Sequence, residues 1–262
     1  MRIERAGQSF EVREVGAGPT VVLVHGYPLD GGMWSGVARV LATEFRVIKP
    51  DLPGRSENPV PAEGTIESYA DFLEAVLQSC PGPTGIAGFS MGGYAALALA
   101  RRRPETLKAL ALVDSRAGAD DDAGRAKREE AIAAVRANGP QAAADAMLPK
   151  LLSPEALARK DLVERVRRTI LRQTPETLES DLAAMRDRPD STAFLREITI
   201  PTLVLAGELD AITPPGPARE MASAIPGGRY VEIPGAGHLS PVERPRAVAA
   251  ALAEFFKAAL AV

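Results

Sequence analysis

The chain has one cysteine, two histidines and one tryptophan, and aromatic residues make up only 5% of its 262 positions. A single thiol, Cys80, excludes an intramolecular disulfide and any metal site built from several cysteines, and it suits a reducing compartment. Scarce histidine narrows the search for a general base to His25 and His238. No charge of one sign dominates. With 31 basic residues against 34 acidic ones, the chain lacks the positive field that nucleic acid or an anionic membrane demands. The longest apolar stretches, "YAALALA" and "AVAAALAEFF", fall short of the ~20 residues that cross a bilayer. The opening "MRIERAGQSFEVREVG" has no apolar secretory region. These absences predict a soluble, cytoplasmic protein without nucleic-acid partners or membrane insertion.

What is present is order. Short β-branched runs ("TVVLVH" at 20–25, "FRVIKPD" at 45–51, "TGIAGFS" at 84–90, "LKALALVDS" at 107–115) alternate with helical patterns, and "IPTLVLAGELD" at 200–210 and "RYVEIPGAGH" at 229–238 follow after a gap. Continuous apolar runs suit parallel strands covered by helices on both faces, so the pattern predicts an α/β fold around a doubly wound, mostly parallel sheet of about eight strands. "QSFEVREVG" alternates like an antiparallel edge strand. In "TIESYADFLEAVLQS", Ile66, Tyr69, Phe72, Leu73, Val76 and Leu77 form one helical stripe behind a Thr65 cap. Between about Ser115 and Ile198 no strand-like run occurs, and Pro140, Pro149, Pro154, Pro175 and Pro189 interrupt short helical segments. The later strands need the earlier ones to complete a sheet. Residues 1–115 and 197–262 are therefore expected to form one core, with 116–196 inserted as a helical cap. Charges in "DDDAGRAKREE" and "ERVRRTILR" are expected to be solvated helix surface.

Within "TGIAGFSMGGYAALALARR", a serine stands between glycines where a strand turns into a helix. G-x-S-x-G at such a turn holds Ser90 at the tip, because side chains at 88 and 92 would collide with neighbours, and it aims the Met91 N–H at an oxygen beside the serine. A serine hydroxyl is a weak nucleophile and needs a base. His238, alone in the glycine-rich loop "IPGAGHLSPVERP", is the expected base. His25, in "VLVHGYPLD", is expected to brace its loop, where Gly26 lets the Tyr27 N–H act as a second oxyanion donor. The base in turn needs an acid. Asp210 gives the chain order serine, acid, histidine; Asp114 is the reserve, and Asp30 reads as a turn residue.

With "VLVHGYPLDGGMW", "DLPG", "GFSMGG", "PTLVLAGELDAITPP" and "IPGAGHLSPVERP" in this order, the chain resembles the α/β-hydrolase family over nearly its whole length. The likeness is to the branch of small serine esterases, enol-lactone hydrolases and cofactor-free haloperoxidase-like perhydrolases. It implies Ser90, His238 and Asp210 as nucleophile, base and orienting acid, Tyr27 and Met91 amides as the oxyanion hole, a cap over the site, and neither metal nor organic cofactor. The resemblance departs in "DLPGRSENP", where a turn usually longer and richer in glycine reaches its serine early, leaving the local backbone undetermined. Acyl transfer from a small ester or lactone is the expected chemistry. Enol-lactone, carbon–carbon bond and perhydrolase activities are alternatives within the class, and a ligand-binding receptor is the alternative outside it. Trp34, Met147 and Leu148 are the candidate substrate contacts, although Trp34 also suits the core of the first helix, and Met147, Leu148, Leu151 and Leu152 also suit a seal between cap and core.

Overall fold

The computed structural model describes residues 2–5, 8–56, 58–60 and 64–260. Eight strands among them form one sheet: β1 Arg2–Arg5, β2 Gln8–Val15, β3 Thr20–Val24, β4 Arg46–Pro50, β5 Thr84–Phe89, β6 Ala109–Val113, β7 Thr202–Gly207 and β8 Arg229–Ile233. Their order is β1-β2-β4-β3-β5-β6-β7-β8, antiparallel at β1/β2 and β2/β4 and parallel from β4 onward. All side chains of β3, β5, β6 and β7 are buried, which explains why these four segments read as unbroken apolar runs.

Helices cover both faces. A side chain at Gly85 would meet Phe256, whereas one at Gly88 would meet the backbone at Gly92 and Gly93. Positions three apart on a strand point to opposite faces, so α11 (Pro245–Ala259) and α3 (Met91–Arg102) lie on opposite sides of β5. The helix α1 (Ser35–Leu41) packs on α11, and α2 (Ile66–Gln78) packs on α3. The stripe anticipated for α2 is buried throughout. Its Thr65 cap forms a reciprocal capping box with Ser68, a device worth about 1 kcal/mol.

Between β6 and β7 the chain forms α4 (Asp122–Asn138), α5 (Pro140–Leu151), α6 (Pro154–Leu157), α7 (Lys160–Leu171) and α8 (Pro175–Asp187). Three of the five, α5, α6 and α8, start with proline in the first turn, and Pro149 also falls inside α5, since proline lacks the N–H that a helix interior needs. These helices touch the core at loops that follow strand ends: Asp30 after β3, Gly54 and Arg55 after β4, and Leu239 and Glu243 after β8. They therefore lie over the carboxyl edge of the sheet. The remaining helices are α9 (Pro215–Ala224) and α10 (Ser240–Glu243). Among the described residues, no helix is long and apolar enough to cross a membrane.

Candidate active site

The chain passes from β3 outward to β4 and then returns to place β5 on the other side of β3, which makes the carboxyl ends of β3 and β5 a topological switch point. The loop after β3 carries Tyr27, and the turn after β5 carries Ser90. That turn is tight. A Cβ on Gly88 would stand 2.4 Å from the Gly92 carbonyl oxygen, and one on Gly92 would stand 2.5 Å from the His25 carbonyl oxygen. Only glycine fits at either place. Ser90 itself has φ 49° and ψ −114°, a conformation that ordinary L residues rarely adopt and that the surrounding bonds enforce. Its N–H donates to the Val113 carbonyl oxygen, and its own carbonyl oxygen accepts from the Ser115 hydroxyl.

Three side chains from distant loops meet above this turn. His238 Nε2 lies 3.1 Å from Ser90 Oγ, and His238 Nδ1 lies 2.8 Å from Asp210 Oδ2. His238 and Asp210 are buried, and Ser90 is 8% exposed. Asp210 also accepts from the Thr213 hydroxyl at 2.6 Å and from the Ile212 and Thr213 N–H groups. Burial raises the Asp210 carboxyl, but the His238 charge and these hydrogen bonds outweigh it and hold the group below its ordinary value. Thr213 was not anticipated, although an aspartate followed two and three residues later by N–H donors is an Asx-turn signal present in "DAIT".

The reserve acid, Asp114, has a different environment. Fully buried with φ 47°, it accepts from the Gly207 N–H and the Ser240 hydroxyl, bracing the end of β7 and the helix just after His238. Burial, then the neighbouring Asp210 charge, raises its carboxyl well above the usual range. Tyr27 N–H donates to no acceptor among the described residues, and Met91, as the first residue of α3, has no intrahelical acceptor for its N–H. Gly26, the residue before Tyr27, packs against the serine turn, where a Cβ on it would stand 3.0 Å from Ser90 Cβ. His25 braces its loop, its Nε2 accepting from the Leu52 N–H at 3.0 Å, and Asp30 caps the turn that follows by accepting from the Gly32 N–H.

The anticipated substrate contacts lie elsewhere than at an open surface. Trp34 is fully buried, edge-on to Phe89 with ring centroids 6.4 Å apart, so packing under the serine turn makes it a core residue. Leu148 is buried in the hydrophobic core, and Met147 packs partly buried against that core. An open groove of about 370 Å³ instead runs between α1, α7 and α10 over a floor of Leu29, Met33, Val166, Leu239 and Val242, with Arg39 and Arg165 at its rim. It continues into a second recess of about 530 Å³ that adds Arg168, Arg172 and Asp30. Arg172 pairs with Asp30 at 3.0 Å, while Arg39, Arg165 and Arg168 have no carboxylate partner among the described residues. Three arginines of "ERVRRTILR", Arg165, Arg168 and Arg172, are thus exposed and gathered on one groove, while Arg167 pairs with Asp145. Among the described residues, no cluster of three or more His, Cys, Asp and Glu side chains is arranged to hold a metal ion.

A family model for the alpha/beta hydrolase family matches residues 21–251, and the chain belongs to that family. It is 32% identical to a pimeloyl-[acyl-carrier protein] methyl ester esterase of Chromobacterium violaceum over 93% of this chain and 96% of that one. Among solved structures it is similar to a thermophilic esterase from Thermogutta terrifontis (37% identity, TM-score 0.94, covering 99% of this chain and 98% of that one). It is also similar to an enol-lactonase from Burkholderia xenovorans LB400 (27% identity, TM-score 0.89, covering 98% and 100%). Several curated relatives are named as esterases, which places this chain with the esterase-type hydrolases.

Proposed function

We propose that the protein hydrolyses carboxylic esters of small molecules through an acyl-enzyme on Ser90. The observation that carries this reading is the continuous hydrogen-bonded line from Ser90 Oγ through His238 to Asp210. Ser90 Oγ attacks the ester carbonyl as His238 Nε2 takes its proton, and Asp210 holds the imidazole in the tautomer protonated at Nδ1 and stabilises the imidazolium. The amides of Tyr27 and Met91 receive the oxyanion, each contributing on the order of 10²–10³ in rate. His238 then returns the proton to the leaving oxygen, and water releases the acyl group by the same route. The helices over the carboxyl edge act as the cap that limits access.

Fluorophosphonate labelling together with a panel of p-nitrophenyl esters, lactones and methyl esters tests this reading. Wild-type protein should be labelled rapidly, and Ser90→Ala or His238→Ala should lose about 10⁶ in kcat. Folded protein that neither labels nor turns over any ester would instead point to a ligand-binding module.

A second reading, hydrolysis of a methyl ester presented on a phosphate-bearing carrier arm, is favoured by one specific observation, the guanidinium-rimmed groove beside Leu29 and Leu239. The relatives named for acyl-carrier-protein esters agree with it. Replacing Arg165 and Arg168 with glutamate should then raise KM about tenfold or more for a pantetheine-phosphate-linked methyl ester and leave p-nitrophenyl acetate unaffected. Equal effects on both substrates would remove this reading.

A further inference from the structure

The segment from residue 51 to 56, where the chain departs from its family's usual turn, is bonded to the oxyanion loop at three successive points. Leu52 N–H donates to His25 Nε2 at 3.0 Å, Asp51 Oδ1 accepts from the Gly31 N–H at 2.7 Å, and Arg55 Nε donates to the Leu29 carbonyl oxygen at 3.0 Å. Between the outer two lies a turn closed by the Leu29 N–H donating to the Gly26 carbonyl oxygen at 2.9 Å, and Tyr27 sits inside it. The direction of the Tyr27 N–H is therefore set by where Leu29 is held. Its carbonyl is held by one buried guanidinium.

That guanidinium is also the attachment point of the helical insertion. Arg55 Nη1 donates to Asp181 Oδ1 at 3.0 Å, and Nη2 donates to Asp181 Oδ2, a two-pronged bond between side chains that are both 0% exposed. Tyr69 OH donates to the same carboxylate at 2.6 Å. One turn earlier on α8, the Thr177 hydroxyl donates to the Gly54 carbonyl oxygen at 2.7 Å. Thr177 and Asp181 share a face of α8, so this helix seats directly on the segment that holds the oxyanion turn. A buried arginine held on both prongs and through Nε is fixed in position and in plane by three bonds at once. Movement of α8 must move Arg55, and movement of Arg55 moves Leu29.

We propose that Arg55 is a positioning residue for the oxyanion turn, and that the seating of α8 through Asp181 sets the alignment of the Tyr27 N–H. Arg55 touches no reacting atom; it acts through Leu29. The cap is thereby coupled to the step that forms the tetrahedral intermediate, separately from its control of access. This inference rests on the acyl-enzyme reading only for its kinetic consequence.

The test uses Arg55→Lys, which keeps the charge but not the three-way reach, and the paired variant Arg55→Met with Asp181→Leu. Removing both charges together avoids leaving one buried and unpaired, and such apolar replacements are often neutral for stability. Each protein is measured per active site titrated with a fluorophosphonate. The expected result is a fall in kcat of about 10- to 100-fold, less than the loss of a whole oxyanion donor, with KM changed about threefold at most. A trifluoromethyl ketone, which forms an oxyanion on Ser90, should weaken by the same factor, and amide exchange should rise in peptides spanning residues 26–31. A folded variant of either kind with unaltered kcat, unaltered ketone affinity and unaltered exchange in that segment overturns the proposal. If the paired variant does not fold, Arg55→Lys decides by the same three readouts. Wild-type protein without labelling or turnover would defeat the acyl-enzyme reading, while the exchange measurement would still decide whether Arg55 holds the turn.

Discussion

Acid should destabilise this protein through one histidine in particular. His25 is fully enclosed, its Nε2 accepting from the Leu52 N–H and its Nδ1 facing the Gly26 carbonyl oxygen at 3.2 Å, which requires the neutral tautomer protonated at Nδ1. A proton added to Nε2 would set donor against donor. Burial, then the Arg55 charge, pushes the imidazole down to about 4, outweighing Asp51, the Gly26 carbonyl and Asp30, which pull upward. Because the folded-state value lies below the unfolded one of about 6.5, the unfolded chain takes the proton first as pH falls. The stabilisation from a neutral His25 is thus complete above about pH 6.5 and is lost progressively toward about pH 4. The gap is worth about 3 kcal/mol in full and about 2.5 kcal/mol by about pH 4.5, a large share of the roughly 5–15 kcal/mol that holds a domain together. The His25 imidazole resonances, assigned by their disappearance in His25→Gln, follow its protonation directly. Urea unfolding of wild type and His25→Gln at about pH 7 and about pH 4.5 then reads the difference, since the glutamine does not ionise. A His25 resonance that titrates near 6.5, or a stability difference that stays constant between the two pH values, would refute the reasoning.

Two substitutions probe the site itself. Thr213→Val removes the hydroxyl that donates to Asp210 Oδ2, so the carboxyl should rise toward its ordinary value and kcat should fall about tenfold, for a lost charge-assisted bond of about 1.5 kcal/mol; an unchanged kcat with intact structure would show that the bond does nothing for the imidazole. Gly92→Ala places a methyl group against the His25 carbonyl oxygen, and thermal unfolding should report a loss of about 1–3 kcal/mol or more, together with reduced labelling of Ser90. A variant as stable and as reactive as wild type would mean that the serine turn has more room than its packing indicates.

Much of this was legible because it is local. The strands β3, β5, β6 and β7 are buried on both faces, and such burial writes itself into the chain as uninterrupted apolar runs. The Thr65 cap and the α2 stripe likewise depend on residues only a few positions apart, as does the close approach of Gly88 to Gly92 in the serine turn. The strand β1 was not legible, since "RIER" is charged on either side of a single buried Ile3; it is a strand because it pairs with β2, Ile3 opposite Phe10. Glu57, in the segment whose backbone was undetermined from sequence, lies outside the described residues. Beside it, nothing in "DLPGRSENP" marks Arg55 for burial. Its burial depends on an aspartate 126 positions away, and no local pattern carries that information.

The amino acids alone settled the α/β class and which serine and which pair of histidines were worth weighing, and they showed no strand pattern between about Ser115 and Ile198, because periodicity and turn chemistry act over a handful of residues. Folding in three dimensions settled what each candidate touches. It put Asp210 rather than Asp114 against His238, turned Trp34 into a core residue, and drew scattered arginines to one groove and one arginine into a buried pair with α8. The reason is physical: whether a charged or polar side chain binds, reacts or merely packs is decided by the distances and burial that long-range contacts impose, and those exist only once the sheet has closed.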